Sequence, residues 1–173
     1  MNCVRFNHEE STLIISGSID GKVRIWDLRS KSYEHLQEID DCKDSVTHID
    51  LNAQQILVSC LDKHVRLYDV RFGKMICDFI DEPVTCSTLS KDDQCTLVST
   101  LANKLLLFDK QSGELLNEYK GHLNKTYQIE NCMNNVSSQI FSGSEDGFVY
   151  IWDLVDSKIK QKLKQLSRLG RNI

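Results

Sequence analysis

The sequence predicts an all-β fold, a partial β-propeller of about four four-stranded blades, and three observations predict it. An aromatic-Asp pair recurs as Trp26-Asp27, Tyr68-Asp69, Phe108-Asp109 and Trp152-Asp153, each closing a short β-branched or aliphatic run. Successive aromatics stand 42, 40 and 44 residues apart, the period of a unit that cannot bury its own faces and stacks on its neighbours. Short alternating runs separated by turn residues fill each period.

Aligned on these pairs, the blades run approximately 1–40, 41–80, 81–120 and 121–157, followed by a basic tail at 158–173. The third unit shows the pattern, with strands expected at Val84 to Ser90, Thr96 to Thr100, Leu105 to Asp109 and Leu115 to Tyr119. Asp20-Gly21 and Asp146-Gly147 favour tight hairpins with positive φ at both central residues. Asp62-Lys63 and Ala102-Asn103 hold the equivalent places, so those turns are expected to be less well specified. Counting back from Phe6 by the spacing of the later units puts Met1 within a first strand. After Trp152-Asp153-Leu154, the alternation of Ile159 and Leu163 fits a fourth, outer strand. The i, i+4, i+7 spacing of Ile159, Leu163 and Leu166 also fits a basic amphipathic helix.

With 173 residues, 40% hydrophobic and 27% charged, the chain has the balance of a globular domain. It has neither a run of 18 apolar residues nor the charged, apolar, small-residue order of a signal peptide, so a cytoplasmic or nuclear location is expected. The cysteines Cys3, Cys42, Cys60, Cys77, Cys86, Cys95 and Cys132 are scattered without a Cys-x-x-Cys pair, and packing is their expected role. Residues 1–157 carry 25 acids against 15 bases, while Lys158, Lys160, Lys162, Lys164, Arg168 and Arg171 make the tail positive. An acidic body repels phosphate backbones, which leaves only residues 158–171 for nucleic acid.

The last unit contains His122, Ser142, Asp146 and Trp152, residue types that also suggest a hydrolase using His122 and Ser142. Ser142 falls mid-strand and is expected between packed sheets, so the preferred reading is a structural network that ends on the indole N–H. Ser16, Asp20 and Trp26 repeat it without the His; Asp62 and Tyr68 keep part of it in the second unit. Val58 and Val98 replace the serine, Asp41 takes the approximate His place of the second unit, and Phe108 replaces Trp in the third. Those middle blades are expected to rely on apolar packing and to be locally weaker. His8, His35, His48 and His64 have no ligand spacing, and no metal, cofactor or catalytic residue is expected. Asp44, Glu82, Lys125 and Tyr127 lie in the loops that join blades, the natural contact points for a protein partner.

These residues resemble the mitogen-activated protein kinase organizer family of WD-repeat proteins. The resemblance runs from about Asn2 to Val155. It rests on Asn-Cys-Val-Arg-Phe-Asn at 2 to 7, Ser-Gly-Ser-Ile-Asp at 16 to 20, Gln-Cys-Thr-Leu-Val-Ser at 94 to 99, Gly-Glu-Leu-Leu at 113 to 116, Glu-Tyr-Lys-Gly-His at 118 to 122, and Ser-Glu-Asp-Gly with Trp-Asp-Leu-Val between 144 and 155. The resemblance implies a WD-repeat β-propeller of an expected seven blades, acting as a non-catalytic scaffold. Its implied partners are kinases and adaptors of the extracellular-signal-regulated kinase cascade, and the spliceosome. About four units account for this chain, so it is expected to be a truncated or partial version with open end faces. At ~25 cal/mol per Å², an uncovered face forfeits on the order of 10 kcal/mol, so self-association is expected of such a segment. An RNA-associated splicing adaptor acting through the tail is the alternative.

Overall fold

A computed structural model describes residues 1–7, 12–134 and 138–164. The described residues form four four-stranded antiparallel meanders. Blade 1 contains β1 (Cys3–Phe6), β2 (Leu13–Gly17), β3 (Val23–Asp27) and β4 (Gln37–Ile39). Blade 2 contains β5 (Val46–Leu51), β6 (Gln55–Cys60), β7 (His64–Asp69) and β8 (Lys74–Phe79). Blade 3 contains β9 (Val84–Leu89), β10 (Cys95–Thr100), β11 (Lys104–Asp109) and β12 (Leu115–Lys120). Blade 4 contains β13 (Asn131–Met133), β14 (Gln139–Gly143), β15 (Phe148–Asp153) and β16 (Ile159–Lys164). The all-β, partial-propeller expectation is met.

Burial follows strand order within a blade. In blade 2, β5 and β6 are almost wholly buried, whereas every residue of β8 is exposed. The first strands β1, β5, β9 and β13 touch in succession and so form the inner wall. Each pair of successive blades shares one apolar core. Ile15, Val23, Val46 and Ile49 belong to the first seam, Leu57, Val84, Val98 and Leu106 to the second, and Leu97, Leu105, Ile140 and Trp152 to the third. Each seam takes residues from both of its blades, because alternation sends neighbouring side chains to opposite faces and each blade has two apolar faces to cover. The outward face of blade 1 carries Val4 and Phe6, which stay 40% and 53% exposed.

The aspartate of each aromatic-Asp pair proves to be a turn-former. Asp27 Oδ1 accepts from Arg29 N, Asp69 Oδ1 from Arg71 N and Phe72 N, Asp109 Oδ1 from Gln111 N and Ser112 N, and Asp153 Oδ1 from Val155 N and Asp156 N, all at 2.7–3.1 Å. A side-chain oxygen here replaces the backbone acceptor that the third-to-fourth strand turn lacks. The repeat is therefore a seam aromatic followed by a cap.

The turns between second and third strands differ in detail from expectation. Only the glycine of each Asp-Gly pair takes positive φ, +80° at both Gly21 and Gly147. Each of these turns begins two residues earlier, with Gly21 N donating to Ser18 O and Gly147 N to Ser144 O. Lys63 and Asn103 adopt the same left-handed backbone, at φ +70° and +61°. The middle turns therefore keep the conformation and bear its cost instead. For Lys63 that cost is about 1–2 kcal/mol, less what glycine would lose in chain entropy. Lys63→Gly is expected to stabilise the chain by about 0.5–1 kcal/mol, read as a higher urea midpoint at unchanged slope. Asn103→Gly is expected to gain nothing, because Asn103 Oδ1 accepts from the buried Asn124 N at 2.8 Å.

Ile159–Lys164 form a strand antiparallel to β15, from Phe148↔Lys164 to Trp152↔Ile159, so these residues do not form the helix. Leu166, Arg168 and Arg171 lie outside the described residues, as does His8.

Candidate functional site

Every seam is closed by the same two positions of the following blade. The first is the recurring aromatic. Trp152 is fully buried, stacks on Tyr150 with centroids 5.6 Å apart, and meets Tyr119 and His122 edge-on at 6.5 and 5.4 Å. Phe108 packs on the second seam and Tyr68 on the first, where the Tyr68 hydroxyl donates to Asp41 Oδ2 at 3.0 Å. Burial and that carboxylate both raise the Tyr68 phenol above its ordinary pKa. Trp26, on the outward face of blade 1, is only half-buried and rests edge-on against His35.

The second position pairs the hairpin aspartate with a residue four later on the third strand. Arg24 Nη2 donates to Asp20 Oδ2 at 2.8 Å, Arg66 Nη2 to Asp62 Oδ2 at 2.7 Å, and the Tyr150 hydroxyl to Asp146 Oδ2 at 2.6 Å. In blade 3 both places are apolar, with Ala102 and the buried Leu106. The Asp62–Arg66 pair is the most enclosed, and Lys43 N and His64 N also donate to its carboxylate, at 3.0 and 3.1 Å. Burial by itself would raise the Asp62 carboxyl, but Arg66 and the Lys43 amide hold it well below the carboxylate range. The spacing of Asp and its i+4 partner is visible in the sequence, but the Arg/Tyr/Leu change of residue type hides it.

The four-group network expected in blade 4 is not closed. Trp152 Nε1 donates to Lys120 O at 3.1 Å rather than to Ser142, and Ser142 Oγ donates to Gly143 O at 3.0 Å. Neither ring nitrogen of the buried His122 has a partner among the described residues. The reason is steric and local: Tyr150 has taken the Asp146 carboxylate, and Lys120 O lies nearer the indole. Ser142 and His122 are both buried, and neither is arranged as a nucleophile with its base. Blade 1 does make the shorter link, Trp26 Nε1 donating to Ser16 Oγ at 2.9 Å.

Burial lowers the His122 pKa to about 4, with Asp146 pulling weakly the other way. A histidine kept neutral in the fold but ionising near 6.5 when unfolded binds fewer protons folded. Its effect is absent above pH 6.5 and becomes a penalty as pH falls toward 4. Acidification across that window is expected to destabilise the chain by about 3 kcal/mol through this residue. Denaturation of His122→Leu at pH 4.5 and 7 tests this, since the variant should lose most of the difference.

A polar cluster around His48, a residue without ligand spacing along the chain, fills the inner wall. His48 Nδ1 contacts Ser87 O at 3.0 Å and His48 Nε2 contacts Arg5 Nη2 at 2.7 Å. The arginine only donates, so the imidazole carries its proton on Nδ1. Arg5 also lies 3.7 Å from Glu130, Gln128 Nε2 donates to Thr47 O, and Asn131 Nδ2 donates to Ser99 Oγ at 2.7 Å. These bonds tie blades 1, 2, 3 and 4 around one axis. A cavity of about 260 Å³ opens there between Met1–Arg5 and Gln128–Glu130. No signal for this exists along the chain, because its members come from different repeats.

The blade-joining loops lead into β5, β9 and β13. Asp44 and Lys125 are exposed, Glu82 is half-buried, and Tyr127 is 67% exposed. The amides of Lys125, Thr126 and Tyr127 all donate to Glu145 Oε1, at 2.8, 2.6 and 3.0 Å, which fixes that loop and lowers the Glu145 pKa. On β16, Lys160 lies 2.6 Å from Asp153 and Lys162 sits over the Tyr150 ring at 4.6 Å.

The WD domain, G-beta repeat family matches residues 1–27 and 113–153. WD repeat domain-containing protein 83 of Rattus norvegicus is 43% identical over 131 residues, covering 76% of this chain and 42% of that protein. The Homo sapiens protein of the same name is 45% identical over 130 residues, covering 75% and 41%. The Dictyostelium discoideum homolog is 35% identical over 188 residues, covering 92% and 58%. The chain thus spans about two-fifths of the mammalian relatives and somewhat over half of the amoebal one. The family match falls on blades 1 and 4, the two whose aromatic is Trp, and the relatives extend it over the middle blades, so the chain belongs to the WD-repeat proteins.

Proposed function

We propose that this chain acts without catalysis, as a scaffold or adaptor that assembles protein complexes. The observation that carries the reading is the set of exposed side chains, Asp44, Lys125 and Tyr127, on loops leading into a bonded inner wall. Rigid scaffolds with variable loops suit recognition, because little entropy is lost when a partner binds. WD-repeat proteins are generally non-catalytic interaction modules, and the burial of His122 and Ser142 favours that class over a hydrolase.

The partners proposed, from the resemblance to the organizer family, are components of the extracellular-signal-regulated kinase cascade or of the spliceosome, in the cytoplasm or nucleus. The test is co-precipitation of the tagged chain with purified candidates of both sets. Tyr127→Ala with Lys125→Glu is expected to weaken the productive pair about tenfold or more, as for a contact hot spot, with the circular dichroism spectrum unchanged. Full binding by the double variant would move the contact surface elsewhere. The RNA-adaptor reading is less favoured, since Lys160 and Lys162 are already engaged by Asp153 and Tyr150.

A further inference from the structure

The first seam is open at its outer end, where the second is filled. Across the β7–β8 ladder Leu67 faces Ile76, and across β3–β4 the equivalent Ile25 faces Gln37. Ile76, with Leu67, Val98 and Phe108, leaves a gap of only about 10 Å³. In the first seam the exposed, polar Gln37 takes that place, and β4 is three residues long against six for β8. A groove of about 360 Å³ therefore remains between blades 1 and 2. Its volume is within the ~300–1,000 Å³ range of ligand clefts.

The floor of this groove is apolar. Ile56 is buried, Ile25, Ile39 and Tyr68 are half-buried, and Met75 is 44% exposed. The rim is acidic, with Glu38, Asp40, Asp41 and Asp69 against Lys74. Two of these carboxylates are committed to the fold: Glu38 meets Lys22 at 2.5 Å and Arg24 at 2.9 Å, and Asp69 Oδ1 caps the β7–β8 turn. The other two face outward. Asp41 Oδ2 accepts from the Tyr68 hydroxyl at 3.0 Å, and the Asp40 side chain, 3.9 Å from Lys22, is 67% exposed. Both stand on the short link between β4 and the buried Cys42, which fixes them from either side.

We propose that this groove binds an extended basic segment of a partner protein, an aliphatic side chain entering it while flanking arginines or lysines meet Asp40 and Asp41. Its apolar floor favours the aliphatic group, and its acidic rim favours cations and repels acidic peptides and phosphate backbones. Little ordering accompanies binding, because the seam itself builds floor and rim. None of Asp44, Lys125 and Tyr127 lines the groove, so it is a second surface beside the blade-joining loops. Only the choice of a protein as occupant rests on the scaffold reading.

The test titrates fluorescein-labelled Gly-Arg-Arg-Leu-Arg-Arg-Gly with the full chain and reads anisotropy, beside one peptide with glutamates for the arginines and one with serine for the leucine. The basic leucine peptide is expected to bind at least about tenfold more tightly than either control, since only it matches both floor and rim. Asp40→Lys is expected to weaken it about fivefold, and Gln37→Trp, which fills the groove, about tenfold or more. Both residues are exposed, and circular dichroism checks the fold. Glu114→Lys, the same charge reversal outside the groove, is expected to leave the affinity unchanged. Equal affinity for the acidic peptide, no saturation by about 1 mM chain, or full binding by both groove variants would overturn the proposal. So would a dimer of the chain that Gln37→Trp dissolves, because a second copy would then be the occupant. The loop variants of the co-precipitation test do not touch the groove, so the two readings fail separately.

Discussion

Trp152→Ala is expected to destabilise the chain by about 3–5 kcal/mol, whereas Trp26→Ala should cost about 1–2. The two residues are equivalent in the repeat, so the difference isolates what the seam contributes. Trp152 is fully buried against Tyr119, Tyr150 and His122, and its loss leaves a cavity and an orphaned Lys120 carbonyl. Trp26 lies on an open face with one aromatic neighbour. Urea titration of both variants is the measurement, with hydrogen exchange to locate the damage. For Trp152→Ala, lost protection should concentrate in β10–β12 and β14–β15. Equal costs for the two tryptophans would mean that the indoles stabilise their own blades rather than the seams.

Arg66→Leu is the second large effect, expected at about 3–5 kcal/mol, because it strands a buried carboxylate. Asp62 would keep the Lys43 and His64 amides and the His64 ring 3.5 Å away, but no fixed cation. The chain supplies its own control, since blade 3 builds the same corner from Ala102 and Leu106. Asp62→Ala with Arg66→Leu is expected to recover at least half of the loss, the remainder being the two uncapped amides. The pH dependence follows from the depressed Asp62 carboxyl. Its stabilising pair is fully present above the unfolded carboxyl pKa near 3.8 and is lost as pH falls through the lower folded value. The gap between wild type and Arg66→Leu should therefore be widest at neutral pH and narrow in acid. A gap that grows in acid, or a double variant no better than the single one, would refute the pairing argument.

The repeat is legible because it is written in covalent order. A period of 40 to 44 residues, an aromatic at a fixed place in each unit and a following Asp that caps a turn are all positioned by spacing within one blade. Their spacing survives changes such as Trp26, Tyr68 and Phe108, which preserve an apolar ring. The hydrogen-bonded network of blade 4 was less legible. Residue types suggested His122, Ser142, Asp146 and Trp152, but which acceptor an indole or a hydroxyl finds depends on sub-ångström distances. Tyr150 reaches the Asp146 carboxylate first, and Lys120 O captures the indole.

Local chemistry alone, through strand-length apolar alternation, capping aspartates and left-handed turn positions, was enough to specify four meanders and their order. Contacts between repeats could not be read this way. The Arg5–His48–Ser87 chain, the Gln128–Thr47 bridge and the Arg66–Cys42 contact join residues up to 81 positions apart. Each such contact depends on how one blade twists and seats on the next. That seating is set by the summed packing of whole faces, a quantity that no single spacing along the chain encodes.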